Sequence, residues 1–347
     1  MDLQWNTGLE QHTISKDFVQ IGHISFDRYP LLLAPMEDVS DPPFRTVCKA
    51  NGADMMYTEF ISVEGLIRDA VKSQKKLDFS EQERPIGIQM FGADIDSMTR
   101  AAEIIEMVQP DLLDINFGCP VKKVVCKLAG AGILQDIPKM VKLTEKVVKS
   151  TQLPVTVKTR LGWDEKTKNI VDVAERLQDV GIKALTIHGR TRQQMYKGEA
   201  DWTLIGAVKN NPRMIIPIIG NGDIDTPEKA YKYRNDYGVD GIMIGRASIG
   251  YPWIFREIHH YFQTKTLLEP PTLNERLSAI KTHLTKSVAW KGEKLGILEM
   301  RRHYAPYLKG LPNIKEFRSR LVTADHEHEV MDILNQVEEV YENVIAI

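Results

Sequence analysis

Residues 116–120 read Asn-Phe-Gly-Cys-Pro, directly after the apolar run Asp-Leu-Leu-Asp-Ile, so Cys119 stands between a glycine and a proline at the end of a buried strand. Four chemistries are open to that thiol: packing, metal ligation, nucleophilic attack and proton donation. Cys126 lies seven residues on and His188 much farther, which is not the spacing of a zinc site. A nucleophile would want a neighbouring base and a lowered pKa. A free thiol with a pKa of about 8.5 is mostly protonated at neutral pH and can serve as a general acid. Taken alone, a free cysteine is usually a small buried hydrophobe, which is the reading for Cys48 in the stretch FRTVCKA.

Other polar residues close apolar runs in the same manner. GNGD (220–223) and IGR (244–246) bring Asn221, Gly222, Asp223, Gly245 and Arg246 to two successive turns. Glycines there let backbone N–H groups approach phosphate oxygens, and Arg246 adds a planar charged donor. The stretch APMEDVSDPPFR sets Pro35, Met36 and Glu37 where backbone could meet a flat ligand, followed by Asp41 as helix N-cap and Pro42 as first helical residue. Gln89, Lys158 and His188 end three further runs. A glutamine can donate and accept at a heterocycle edge, and a lysine near a ring carbonyl favours an anionic reduced flavin. His326 and His328, two residues apart, would point to different faces of a helix and make a poor chelate, so no metal is expected.

The elements that carry these residues repeat. Eight short apolar runs begin at 31, 54, 86, 111, 155, 184, 215 and 241, separated by segments such as 96–109, 137–150 and 169–181 with apolar residues at three- and four-residue spacing. Near-continuous apolar strands alternating with helices indicate a parallel sheet buried on both faces. Eight units in about 250 residues predict an α/β fold, a (β/α)₈ TIM barrel, whose functional residues sit at the C-terminal ends of the strands. After Trp253 the strand rhythm stops, and 272–290, 294–308 and 328–345 read as helices. The expected division is a barrel over 1–260 and an all-helical domain over 261–347.

The chain has 347 residues and a net charge of −2. Three cysteines without paired spacing suit a reduced, cytoplasmic protein. The first 18 residues carry no secretory pattern, and no apolar run approaches the roughly 18 residues of a membrane span. Charge is polarised near the C-terminus. Residues 281–320 hold ten Lys/Arg against three Asp/Glu, whereas 321–347 hold seven Asp/Glu and no Lys/Arg. The basic stretch could face a polyanion or be a solvated helical face.

Taken together, APMEDVSDPPFR, IGIQMFG, DINFGCPVKKV, VTVKTRLGWD, LTIHGRTRQQMYKGEADW, IIGNGDI and GIMIGRASIGYPWIF resemble the tRNA-dihydrouridine synthase family. They occur in family order between about residues 30 and 255, and the helical tail is similar to that family's RNA-binding domain. The resemblance implies an FMN-containing barrel that uses NADPH (or NADH) to reduce the C5–C6 double bond of specific uridines in tRNA. Carried over by position, Pro35, Met36, Glu37, Gln89, Lys158, Asn221, Gly222, Asp223, Gly245 and Arg246 would hold FMN, with His188 beside the flavin and lining the uracil site. Asn116 would line the uracil site and Cys119 would protonate C5. Lys122, Lys127, Arg190, Arg192, Arg301 and Arg302 are the cations expected against tRNA. A monomer is expected. Two other readings make different predictions: a flavin barrel reducing a free pyrimidine or an enone needs no helical tail, and a non-catalytic RNA-binding barrel would be colourless.

Overall fold

The computed structural model describes residues 18–345, so the stretch in which a secretory pattern was sought lies almost wholly outside the described residues. An antiparallel hairpin, β1 (Val19–Ile21) and β2 (Ile24–Phe26), precedes the barrel. The barrel strands are β3 (Leu31–Leu33), β4 (Met56–Tyr57) with its short continuation β5 (Ile61–Ser62), β6 (Ile86–Phe91), β7 (Leu112–Asn116), β8 (Val155–Arg160), β9 (Leu185–His188), β10 (Ile218–Asn221) and β11 (Gly241–Ile244). All neighbours pair in parallel from β4 round to β11 and back to β3. A parallel bridge from Leu32 to Met55 closes the ring between β3 and β4. Every expected apolar run holds a strand, and the TIM barrel is the observed fold.

Alternation along each strand sorts the side chains. On β7, Leu113 and Ile115 join the outer core beneath the helices, while Leu112 joins an inner cluster with Leu32, Tyr57, Ile219 and Met243. Val19, Ile21, Ile24 and Phe26 of the hairpin belong to that inner cluster and seal the end of the barrel opposite the site. The same period that points Leu112 inward points Asp114 and Asn116 inward above it. On β8 it does so for Thr156, Lys158 and Arg160. The barrel interior is therefore apolar at its floor and polar toward the C-terminal rim.

Helix starts follow their capping chemistry. Asp41 accepts the N–H of Phe44 at 2.9 Å, and Pro42 opens the helix Pro42–Ala50. The helix Ile254–Thr264 crosses residue 260, and Ile254, Phe255 and Ile258 pack into the barrel core. By packing, the barrel thus extends through Thr264. A capping box between Thr272 and Glu275 starts the next helix, Leu273–Lys291. With Glu293–Tyr307, Lys315–Thr323 and Glu327–Ile345 it encloses a second core that includes Leu277, Ile280, Leu284, Met300, Tyr304, Leu321 and Leu334.

The helical unit docks against the barrel beside β3. Phe44 packs against His283 and His303, with ring centroids 5.6 and 5.1 Å away. Trp290 donates its indole N–H to Asp78 at 2.7 Å. The ammonium of Lys291, 5% exposed, pairs with both Asp41 and Glu299. No described helix is long and apolar enough to cross a membrane.

Candidate active site

A cavity of about 650 Å³ opens at the C-terminal rim. Its walls combine Ala34–Glu37 after β3, Asn116 at the end of β7 and Gly118–Val121 after it, Lys158 and Arg160 of β8, and His188 of β9. Asn221 at the end of β10, Gly222–Asp225 after it and Gly245–Ala247 after β11 line it as well. Most of the motif residues expected from the sequence therefore converge on one cavity.

Cys119 lies in this wall and is buried. Burial pushes its thiol pKa up, against smaller opposite pulls from the Val121 N–H and the charge of Arg160. The group is a thiol, not a thiolate, at neutral pH. Its backbone is held from several sides. The Asn116 side-chain oxygen accepts the N–H groups of Gly118 and Cys119, both at 2.9 Å, and Arg160 Nε donates to the Gly118 carbonyl at 2.7 Å.

The Lys158 side chain lines the cavity, and among the described residues its ammonium has no hydrogen bond or ion pair. Burial and the nearby Arg160 lower its pKa to about 8, with Asp114 opposing. His188 is held far below its ordinary pKa by burial and by the charges of Arg160 and Lys158, so it is neutral. The Arg190 guanidinium lies 3.4 Å from its Nε2, which makes that nitrogen the acceptor and leaves the proton on Nδ1.

The two loops after β10 and β11 provide backbone donors. Among the described residues no acceptor meets the N–H of Gly222, Asp223 or Gly245. A Cβ on Gly245 would stand 3.6 Å from Ala34 Cβ and 3.7 Å from Met36 Sδ, filling the gap between the β11 and β3 loops. Gly222 needs its φ of +126° and leaves no room for a Cβ, which would meet Ala200 Cβ at 2.7 Å. Gly220 is glycine for another reason, because the Trp202 ring occupies the space of its side chain. Unused N–H donors at a concave turn, with Arg246 beside them, suit a phosphate. A partly apolar space beside an unpaired lysine suits a heterocycle.

Several expected site residues have other roles. Arg190, expected against RNA, is only 2% exposed. It makes a bidentate pair with Asp223, at 2.8 and 2.6 Å, and also donates to the carbonyls of Lys197 and Gly198. It has no free face for a polyanion. Asp223, expected on the cofactor, accepts from Arg190, from Ala200 N–H and from Arg246 at 3.0 Å, so its carboxylate holds the loop and aims Arg246. Gln89 is fully buried below the cavity, bonded to Asp114 and Asn116, and has no surface facing a ligand. Glu37 reaches the cavity and pairs with Lys76 at 2.6 Å. Asn221 lines the cavity and ties its amide to the Met243 carbonyl at 2.8 Å.

Among the expected RNA contacts, Lys122 and Lys127 are exposed on the segment just after Cys119, and Arg302 is exposed on the helical unit. Arg192 is half-buried, stacked 4.8 Å above the Trp163 ring. Arg301 is committed to the Ala324 carbonyl and Asp325. Sequence reading missed Tyr196 as a site residue. It is exposed at the cavity mouth, 5.2 Å from the Arg246 guanidinium and 5.9 Å from that of Arg160. It sits in a stretch without regular structure, where no period marks which side chain turns inward. Asp114 was also passed over, although a carboxylate inside an apolar strand run is a legible signal.

A sequence model described as dihydrouridine synthase (Dus) matches residues 32–345. The chain belongs to the dihydrouridine synthase family. It is 41% identical to tRNA-dihydrouridine synthase B of Pseudomonas putida over 302 residues, 87% of this chain and 89% of that one. It is 40% identical to the Shewanella oneidensis protein of the same name, over 87% and 94% of the two chains. A probable tRNA-dihydrouridine synthase of Rickettsia conorii is 36% identical, over 86% and 90%. Among solved structures the fold is similar to a morphinone reductase variant in complex with tetrahydroNAD, with TM-score 0.52 and 12% identity over 73% of this chain and 92% of that one. It is also similar to histamine dehydrogenase from Rhizobium sp. 4-9, with TM-score 0.56 and 12% identity. That match covers 79% of this dihydrouridine synthase family member and about half, 51%, of the dehydrogenase. At such identities these two structures speak to the barrel alone.

Proposed function

We propose that the protein is a tRNA-dihydrouridine synthase that reduces the C5–C6 double bond of specific uridines, with FMN as cofactor and NADPH as reductant. The observation that carries this reading is the placement of a protonated Cys119 thiol in the same cavity wall as the unpaired Lys158 and the Gly222 and Gly245 donor loops. Family membership supplies the substrate class. The residues suit FMN: Gly222, Asp223 and Gly245 N–H groups with Arg246 would hold the phosphate, and Ala34–Glu37 and Lys158 would hold the ring system. Bound there, a flavin supplies hydride to C6 of the uracil ring.

The protein's own groups do the rest. Lys158 places positive charge where negative charge accumulates. Asn116 and Arg160 hold the Gly118–Cys119 turn so that the thiol faces the cavity. Cys119 then gives its proton to C5, the carbon that becomes basic as C6 is reduced, and the thiolate left behind is stabilised by the Arg160 charge nearby. The uridine must leave its stack to enter, at a cost of a few kcal/mol. Exposed cations at the rim, Lys122 and Lys127, offset that cost through backbone contacts and make binding salt-dependent.

The test is direct. Purified protein should be yellow, and NADPH should let it convert uridine to dihydrouridine in unmodified tRNA, read by mass spectrometry of nucleosides. Colourless protein, or protein that reduces free uracil or orotate while leaving tRNA untouched, overturns the reading.

A further inference from the structure

One level below the cavity lies a carboxylate that the proposed reaction does not use. Asp114 is 1% exposed. Its Oδ1 accepts from Thr156 Oγ1 at 2.6 Å and its Oδ2 from Gln89 Nε2 at 2.6 Å. Gln89 Oε1 accepts from Asn116 Nδ2 at 2.7 Å. Asn116 Oδ1 accepts the backbone N–H groups of Gly118 and Cys119.

Every link in this chain has a defined polarity. Burial raises the Asp114 pKa to about 6, so above that pH the carboxylate is ionised and can only accept, and Gln89 turns its NH₂ toward Asp114 and its carbonyl toward Asn116. Asn116 must then present NH₂ to Gln89 and carbonyl to the turn. Reversing Gln89 would set oxygen against oxygen at Asp114 and donor against donor at Asn116, and reversing Asn116 would set donors against donors at the Gly118–Cys119 turn, leaving those N–H groups unpaired. We infer that Asp114 is a positioning residue for Cys119: its charge, relayed by the Gln89 and Asn116 amides, dictates the orientation of the turn that aims the thiol. The inference rests on Cys119 as the proton donor. The hydrogen-bond relay itself can be tested separately.

The polarity argument prescribes a rescue. In Asp114→Asn the new amide can face Gln89 with either end, so the turn loses its unique orientation. In Gln89→Glu two carboxylates face each other, and one must be protonated or turn away. The double variant combines the two changes. The amide now at position 114 donates its NH₂ to one oxygen of the carboxylate now at position 89. The other oxygen of that carboxylate accepts from Asn116, and the original orientation returns. All variants are made in a Cys126→Ser background, because Cys126 is exposed and would react, whereas Cys48 is fully buried.

Two measurements read the outcome. One is the pH dependence of Cys119 alkylation by iodoacetamide. The other is the single-turnover oxidation of pre-reduced enzyme by tRNA, with tRNA affinity measured alongside. Asp114→Asn should slow the single turnover about 10- to 100-fold and shift the alkylation profile, with tRNA affinity unchanged. Gln89→Glu should be worse, and the double variant should recover at least roughly tenfold over Gln89→Glu in both measurements. Asp114 and Gln89 touch, so any shared role makes their losses non-additive; recovery of the parent Cys119 alkylation profile in the double variant is what a merely structural role does not predict. An Asp114→Asn enzyme with the parent alkylation profile and turnover, or additive losses in the double variant, overturns the inference. Should the parent protein not oxidise with tRNA at all, the functional proposal fails. The alkylation cycle then still decides the relay.

Discussion

At the scale of single residues, the site is governed by what burial does to titrating groups. Cys119 is kept protonated by burial, Lys158 is brought close to neutral pH, and His188 is kept neutral. These environments suit the proposed roles of Cys119 as proton donor and Lys158 as a source of positive charge. Cys119→Ala should therefore split the reaction. Flavin reduction by NADPH should proceed at nearly the parent rate, while reoxidation by tRNA should slow about 10²- to 10⁴-fold in single-turnover kinetics. Parent-like dihydrouridine formation in that variant returns Cys119 to a packing role. Lys158 predicts a pH effect on the other half. As pH rises through about 8 the site loses a positive charge, so flavin reduction should decline on the alkaline side. Lys158→Arg, which stays charged, should move that limb upward, and an unmoved limb assigns it to another group.

At the scale of elements, the strand ends set direction and the loops set fit. The alternation that sends Leu113 and Ile115 outward sends Asp114 and Asn116 inward, so one strand supplies both core and site. The β10 loop depends on Gly222 for its left-handed turn, and on Trp202 Nε1, which donates to the Gly222 carbonyl at 3.0 Å. Gly222→Ala should cost about 1–3 kcal/mol from backbone strain, more if Ala200 cannot move. Urea unfolding and flavin occupancy after gel filtration should both fall. A variant that keeps the parent midpoint and full occupancy would show that the loop does not need this conformation.

At the scale of the whole molecule, the helical unit is tied to the barrel through a mixed polar and aromatic contact. Lys291 bridges Asp41 and Glu299, and His283 is buried against Phe44, His303 and Tyr307. Asp41 caps the helix that follows the Ala34–Glu37 loop, so the docking contact and a cavity wall share one short stretch of chain. Burial lowers the His283 pKa from 6.5 to about 4. The unfolded chain takes up this proton below about 6.5, whereas the folded chain resists until about 4. Stability must therefore fall as pH drops through that window, by about 3 kcal/mol from this residue at its lower end. His303 is lowered for the same reason and adds to the effect. Urea midpoints measured between pH 7 and 4 should decline, and His283→Phe should flatten the decline. An equally steep slope in the variant places the acid sensitivity elsewhere.

What the sequence determined by itself was periodic or carried by contiguous motifs. Eight apolar runs specified eight strands, because a parallel strand buried on both faces must be apolar along its length. Asp41 and Pro42 specified a helix start, because capping chemistry is local. NFGCP, GNGD and IGR marked loops that the fold brings to one cavity. Tertiary structure decided what depends on partners distant in the chain. Arg190 reads as a free cation until Asp223, 33 residues on, is seen to clamp it. Gln89 reads as a ligand contact until Asp114 and Asn116 from the next strand take both ends of its amide. Lys291 reads as part of a basic surface until Asp41 from the barrel buries it. A side chain's charge is written in the sequence, but whether that charge is free for a ligand depends on which opposite group the fold brings within hydrogen-bond distance.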